Sequence, residues 1–130
     1  MNQKKKGSNA ERELIHLFWQ TSEWAACRVA GSGSIKYPSP DIIAANTKRK
    51  LAIECKSTKS KYQYLEKREI QELIEYAKKT NAESWIAIKF SRTEWRFIQA
   101  KNLKQTKKHY MATQELLKEK GIDFTSLRLR

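Results

Sequence analysis

The chain has 130 residues, with 27 Lys and Arg against 14 Asp and Glu, for a formal charge of +13. A chain of this length forms one domain that buries a core without staples, and such an excess of charge repels itself unless it meets a polyanion, nucleic acid first among them. No long apolar stretch and no basic amphipathic anchor support a membrane role, and Cys27 and Cys55, without CxxC spacing or a signal peptide, speak against zinc and for a reducing compartment.

Residues 1–6 are polar and basic and read as a flexible, phosphate-contacting arm carrying Lys4, Lys5 and Lys6. The spacing predicts a helix over 8–20, with Ala10, Leu14, Leu17 and Phe18 on one face. Ser8 and Glu11 have the S-x-x-E spacing of a capping box at its start. A short strand follows over 25–29, then a loop over 30–39 with Gly31, Gly33 and Pro38. Two strands, 41–45 and 51–56, are joined by the polar turn 46–50 and read as a hairpin. A helix over 65–79 places Ile70, Leu73, Ile74 and Ala77 inward, and Asn81 stands where a left-handed C-cap belongs. Strands over 84–90 and 94–99 and a last helix over 113–120, stopped by Gly121, complete an α-β-β-β-α-β-β-α order. That order predicts one α/β domain, a mixed β-sheet flanked by α-helices. Both cysteines fall in predicted strands and read as small buried residues.

The hairpin carries the chemistry. Pro40-Asp41 is followed 13 positions later by Glu54-Cys55-Lys56. Side chains alternate across a strand, so Glu54 and Lys56 project together while Leu51, Ile53 and Cys55 face the core. Asp41, on the neighbouring strand, falls near Glu54 if the register allows. Two close carboxylates repel, and a hard cation removes that cost. Mg²⁺ suits them, with the backbone carbonyl of Cys55 as a third ligand. A cation there lowers the pKa of a bound water and engages a phosphate oxygen, and Lys56 offsets charge in the transition state. The simpler alternative is a salt-bridged hairpin, because E-x-K alone occurs by chance. Glu11 is open in the same way: a capping residue, or an acid at the edge of a buried face that reaches the sheet.

Lys6-Gly7-Ser8-Asn9-Ala10-Glu11-Arg12-Glu13-Leu14 is followed by Arg28-Val29-Ala30-Gly31-Ser32-Gly33-Ser34, Pro38-Ser39-Pro40-Asp41-Ile42-Ile43-Ala44 and Ala52-Ile53-Glu54-Cys55-Lys56. In this order they resemble the archaeal Hjc-type Holliday junction resolvases, within the restriction-endonuclease-like PD-(D/E)xK nucleases. Tyr64, Arg68-Glu69, Ile86-Ala87-Ile88-Lys89-Phe90 and Trp95-Arg96-Phe97-Ile98 extend the likeness over residues 6–99 or so; the stretch from about residue 100 shows none. The resemblance implies a restriction-endonuclease-like core and an Mg²⁺-dependent endodeoxyribonuclease, with Mn²⁺ as a possible substitute. It implies metal binding by Glu11, Asp41 and Glu54, a catalytic Lys56, and phosphate contact near the scissile bond by Arg28 and Ser32, the latter counted with the catalytic group. Arg12 beside Glu11 contacts DNA or is a solvated helix residue. Cys55 replaces the more usual aliphatic residue between acid and lysine.

The implied substrate is a four-way DNA junction, resolved by two symmetric cuts. One constellation per chain then requires two chains, and a C2 homodimer matches the symmetry of the junction. The resemblance implies that dimer as well. Trp85, Trp95 and Phe97 are interface candidates, with core packing the favoured alternative for each. Lys36, Lys59 and Lys61 join the arm lysines as phosphate contacts near the site. Competing readings are a less selective nuclease acting on flaps or duplex, and a non-cutting architectural protein. A DNA resolvase is expected in the cytoplasm at the nucleoid. Recombination or replication partners are not legible.

Overall fold

The computed structural model describes residues 3–29, 31 and 36–130, and of residues 3–8 the backbone alone. Helix α1 (Gln3–Trp19) starts five residues before the expected start at Ser8. Ser8 therefore lies inside the helix, and the capping-box explanation of Glu11 falls away. Strands β1 (Ala25–Arg28), β2 (Ile42–Ala45) and β3 (Lys50–Thr58) form an antiparallel meander. Strand β4 (Tyr62–Glu66) leads into helix α2 (Lys67–Thr80), which returns the chain to β5 (Glu83–Phe90), parallel to β3. Asn81 ends α2 at φ 57° and ψ 42°, and its N–H donates to the last-turn carbonyls, as the sequence predicts. Strand β6 (Arg96–Ile98) is followed by a 3-10 turn (Ala100–Asn102), β7 (Lys104–Gln105), β8 (His109–Thr113), α3 (Gln114–Lys120) and α4 (Phe124–Leu129).

The central sheet has the order β1-β2-β3-β5-β6, and β4-β8-β7 form a second, smaller antiparallel sheet. A mixed sheet flanked by helices is the expected fold class. Alternation along β3 and β5 sends buried side chains to both faces. Leu51, Ile53, Trp85, Ala87 and Phe97 pack with Leu14 and Phe18 of α1 and Leu127 of α4. Ala52, Ile86, Ile88 and Ile98 pack with Ile70, Leu73 and Ala77 of α2, joined by Leu65, Ala112 and Leu117. Each such large side chain taken out of water contributes about 1.5–3 kcal/mol. The sheet is therefore clamped between α1 and α2, and a residue's position in β3 decides which helix it meets.

Several expectations change. Trp85, Trp95 and Phe97 are core residues, at most 3% exposed, so none presents an interface surface. Ile74, expected inward, is 44% exposed, because the buried stripe of α2 runs through Ile70, Leu73 and Ala77. Cys27 is exposed on β1. Cys55 is half-buried and packs against the α1-side core as its strand parity predicts. No helix among the described residues is long and apolar enough to cross a membrane.

Candidate active site

Asp41 precedes β2 and is locked to β3 by two bonds. Its N–H donates to the Ile53 carbonyl at 3.0 Å, and its Oδ2 accepts from the Cys55 N–H at 2.9 Å. These bonds bracket Glu54, whose carboxyl feels the Asp41 charge. The hairpin thus delivers the expected pair of acids. In an antiparallel ladder one residue's N–H and C=O point to the same neighbour. The Cys55 carbonyl therefore shares the strand edge that its N–H presents to Asp41.

Burial first, and the charge of Asp41 second, push the Glu54 carboxyl from its ordinary 4.5 up to about 9. Lys56, on the same side of β3, is 3.9 Å from Glu54 Oε2 but only 2.9 Å from Glu69 Oε2 on α2. Burial alone lowers an ammonium; here the hydrogen bond and charge of Glu69, with Glu54 and Asp41, outweigh it and raise Lys56 above the usual lysine value. The nearer partner of Lys56 thus comes from helix α2, while Glu54 on its own strand stays within ion-pair range, as a salt-bridged hairpin would have it.

Glu11 arrives from α1. Its Oε2 receives the Arg28 Nε–H at 2.5 Å, joining α1 to β1. Burial is the main cause that raises its pKa; Arg28 opposes it and Asp41 adds to it. Glu11, Ser39, Asp41, Glu54, Cys55, Lys56, Arg68, Glu69 and Glu72 line one cleft of about 280 Å³. Arg12 is exposed on α1, and Lys36, Lys59 and Lys61 are exposed in loops. Ser32 and the side chains of Lys4, Lys5 and Lys6 lie outside the described residues.

The sequence reading missed Glu69 as a site residue, although a signal was present. Glu69 stands four positions before Leu73 and one before Ile70, at the border of the buried stripe of α2. A carboxylate there points along the helix toward the sheet. Arg68 and Glu72 were missed for the same reason; they pair with each other at 3.1 Å at the mouth of the cleft.

Among the described residues no group of three or more His, Cys, Asp and Glu side chains is placed to hold a metal ion. The donor set nevertheless fits one kind of ion. Mg²⁺ characteristically takes one or two carboxylates and keeps several waters. The Asp41–Glu54 pair with the nearby Cys55 carbonyl offers such a set, and burial first, with the Asp41 charge second, disfavours a bare charge on Glu54 that a cation would offset.

The family model described as "Archaeal holliday junction resolvase (hjc)" matches residues 2–129, so the likeness continues past residue 99. The crossover junction endodeoxyribonuclease Hjc of Archaeoglobus fulgidus is 40% identical over 107 residues, 82% of this chain and 78% of that one. The Hjc of Methanocaldococcus jannaschii is 36% identical over 121 residues, 92% of this chain and 84% of that one. The crossover junction endodeoxyribonuclease Hje of Sulfolobus acidocaldarius is 32% identical over 102 residues, covering 76% and 73%. The solved structure of Archaeoglobus fulgidus Hjc, titled a Holliday junction resolvase from an archaeal hyperthermophile, aligns with a TM-score of 0.86 at 34% identity, over 93% of this chain and 98% of that one. The mixed sheet between two helical layers is accordingly a restriction-endonuclease-like fold, and the chain belongs to the archaeal Holliday junction resolvase (Hjc) family.

Proposed function

We propose that this chain is an endodeoxyribonuclease that resolves four-way DNA junctions by paired, symmetric, Mg²⁺-assisted hydrolysis as a homodimer inside the cell. The observation that carries the reading is the Asp41–Glu54 carboxyl pair beside Lys56, in an acid-lined cleft of a strongly basic chain of this family. Asp41, Glu54 and the Cys55 carbonyl would hold the divalent cation. When bound, it supplies charge neutralisation at the scissile phosphate and a more acidic water. Mn²⁺ has the same oxygen preference and is expected to substitute.

The chain's own residues do the rest. The bond from the Cys55 N–H holds the Asp41 carboxylate, and the Asp41 N–H bond to Ile53 holds its backbone, before substrate arrives, so little reorganisation remains for the reaction. Lys56 places a positive charge on the cleft wall where negative charge grows on the non-bridging phosphate oxygens. Glu11 and Arg28 close the α1 side of the cleft as an ion pair. In this reading Glu11 adds negative potential toward the cation, and Arg28, with Ser32 and Arg12, contacts phosphates flanking the cut. Lys4, Lys5, Lys6 and Lys36 extend the contact along the arms without reading bases.

Cleavage of a labelled four-way junction, beside linear duplex of the same arm sequence, in Mg²⁺ and in EDTA tests this. Paired symmetric nicks on the junction alone, lost in EDTA, are expected. Equal cutting of duplex would transfer the protein to the less selective nucleases. Tight junction binding with no cutting in Mg²⁺ would make it an architectural protein.

A further inference from the structure

We infer that Glu69 is a positioning residue for Lys56: it holds the ammonium on the α2 wall of the cleft and keeps it off Glu54. The inference rests on the nuclease reading above for what Lys56 does, and on geometry alone for what Glu69 does. Lys56 Nζ faces two acidic side chains, Glu69 at 2.9 Å and Glu54 at 3.9 Å. Glu69 Oε2 is shielded from solvent, and among the described residues its one partner is that ammonium.

An acid in the first turn of a helix has an ordinary explanation, the attraction of the helix N-terminus for negative charge. That explanation does not require burial, since the attraction is available to an exposed side chain. The other acids near Glu69 behave that way: Glu66 and Glu72 pair with the exposed Arg68, and Glu75 with the exposed Lys79. Of these acids, Glu69 is the one that meets Lys56. An ionised oxygen removed from water is costly unless a charge faces it, and Lys56 is the charge that does.

The consequence is a division of labour between two acids on one lysine. Were Lys56 paired with Glu54, its ammonium would occupy the oxygens that a cation needs. Glu69 holds the ammonium at 2.9 Å, against 3.9 Å to Glu54, and so biases it away from the Asp41–Glu54 pair. Because Glu69 is on α2 and Lys56 on β3, the placement depends on the packing of Ile70 and Leu73 against the sheet.

The test uses the full chain with Glu69→Gln, which keeps shape and removes charge, and Glu69→Asp, which keeps charge one methylene back. The single-turnover cutting rate of bound junction is expected to fall about 10- to 100-fold in Glu69→Gln, the scale of a misplaced catalytic group. Glu69→Asp retains more of the rate. Junction Kd in EDTA and thermal midpoint stay at wild-type values in both. Independently of cutting, the side-chain ¹H–¹⁵N correlation of the Lys56 ammonium, assigned by its loss in Lys56→Arg, is expected in wild type and broadened away in Glu69→Gln. An unchanged Lys56 correlation in Glu69→Gln would overturn the inference. So would a rate loss matched by weaker junction binding or a lower midpoint, which marks a structural residue. If wild type cuts no junction, the functional reading fails, and the ammonium correlation still decides the role of Glu69.

Discussion

Asp41 and Glu54 are held together by backbone geometry, and the discomfort of that arrangement is measurable at a single residue. Burial and the Asp41 charge raise Glu54 to about 9 from 4.5. The sign follows from proton counting. Below about pH 4.5 Glu54 is protonated in both folded and unfolded chains, and its contribution to stability is fully present. Between 4.5 and about 9 the folded chain keeps a proton that the unfolded chain has released, so this group lowers stability by at most about 1.4 kcal/mol per pH unit. Above about 9 the loss is complete. Glu54→Gln removes the titration while keeping the shape. In EDTA, urea unfolding from about pH 6 to about pH 9 is expected to show wild type losing stability relative to this variant as pH rises; parallel curves would contradict the raised pKa. A cation that replaces the proton should flatten the wild-type slope and release a proton on binding. Lys56 makes a separate prediction. Its charge belongs to the transition state more than to ground-state binding, so Lys56→Ala is expected to lower the single-turnover rate by about 10²–10³-fold. Junction Kd should stay near wild type, and a Kd loss as large as the rate loss would make Lys56 a binding residue.

At the level of elements, the C-terminal region shows what sequence periodicity reached and where it stopped. Gly121 was legible as the stop of α3, but for a different reason than a left-handed cap. Its φ is −91°, which any residue adopts. A Cβ there would sit 2.6 Å from the Leu117 carbonyl oxygen and 3.3 Å from that of Phe97. The chain is pressed in because Ile122 exchanges both backbone bonds with Phe97, at 2.8 and 2.9 Å, which docks α4 onto the α1-side core. Gly121→Ala is therefore expected to cost about 1–3 kcal/mol, as overpacking does, read from urea midpoints, with the cutting rate unchanged because the cleft is elsewhere; an unaltered midpoint would mean that the turn gives way freely. The hairpin and the paired acids were legible because β2 and β3 alternate cleanly around Pro40-Asp41 and Glu54-Cys55-Lys56. Strand β4 was not, since Tyr62-Gln63-Tyr64 reads as an approach to a helix whose expected start, Leu65, is in fact a buried strand residue. Strands β7 and β8 were lost because two polar residues, and a run that mixes His109 with Met111, carry no period-2 signal. Helix α4 is six residues long, too short for a helical period to show. Ile74 was misplaced because a single helix cannot say how wide its buried stripe is.

For the molecule as a whole, acidic side chains are concentrated in one cleft of a strongly basic chain. Five of its 14 acids, Glu11, Asp41, Glu54, Glu69 and Glu72, line one cleft, which among the described residues has Lys56 and Arg68 as its lining bases. Most of the 27 Lys and Arg therefore lie elsewhere. Such a surface attracts the DNA backbone while the cleft repels it, so binding and cutting are separable. Binding is expected to be steeply salt-dependent: contact with 6–10 phosphates loses about 10³–10⁵ in affinity between roughly 50 and 200 mM salt. Charge does not distinguish a junction from its arms, because both carry the same phosphates. Under the dimer proposal, selection comes instead from two clefts at a fixed separation meeting two strands related by a two-fold axis. Mixed dimers test this directly. After subunit exchange between wild type and Lys56→Ala, a heterodimer still binds the junction, because its basic surface is intact. It should nick one strand and stop, so that singly nicked junctions accumulate in proportion to the heterodimer. A monomeric nuclease would instead make both cuts at a rate that falls only with the dilution of active chains, and no singly nicked product would build up beyond that of wild type alone.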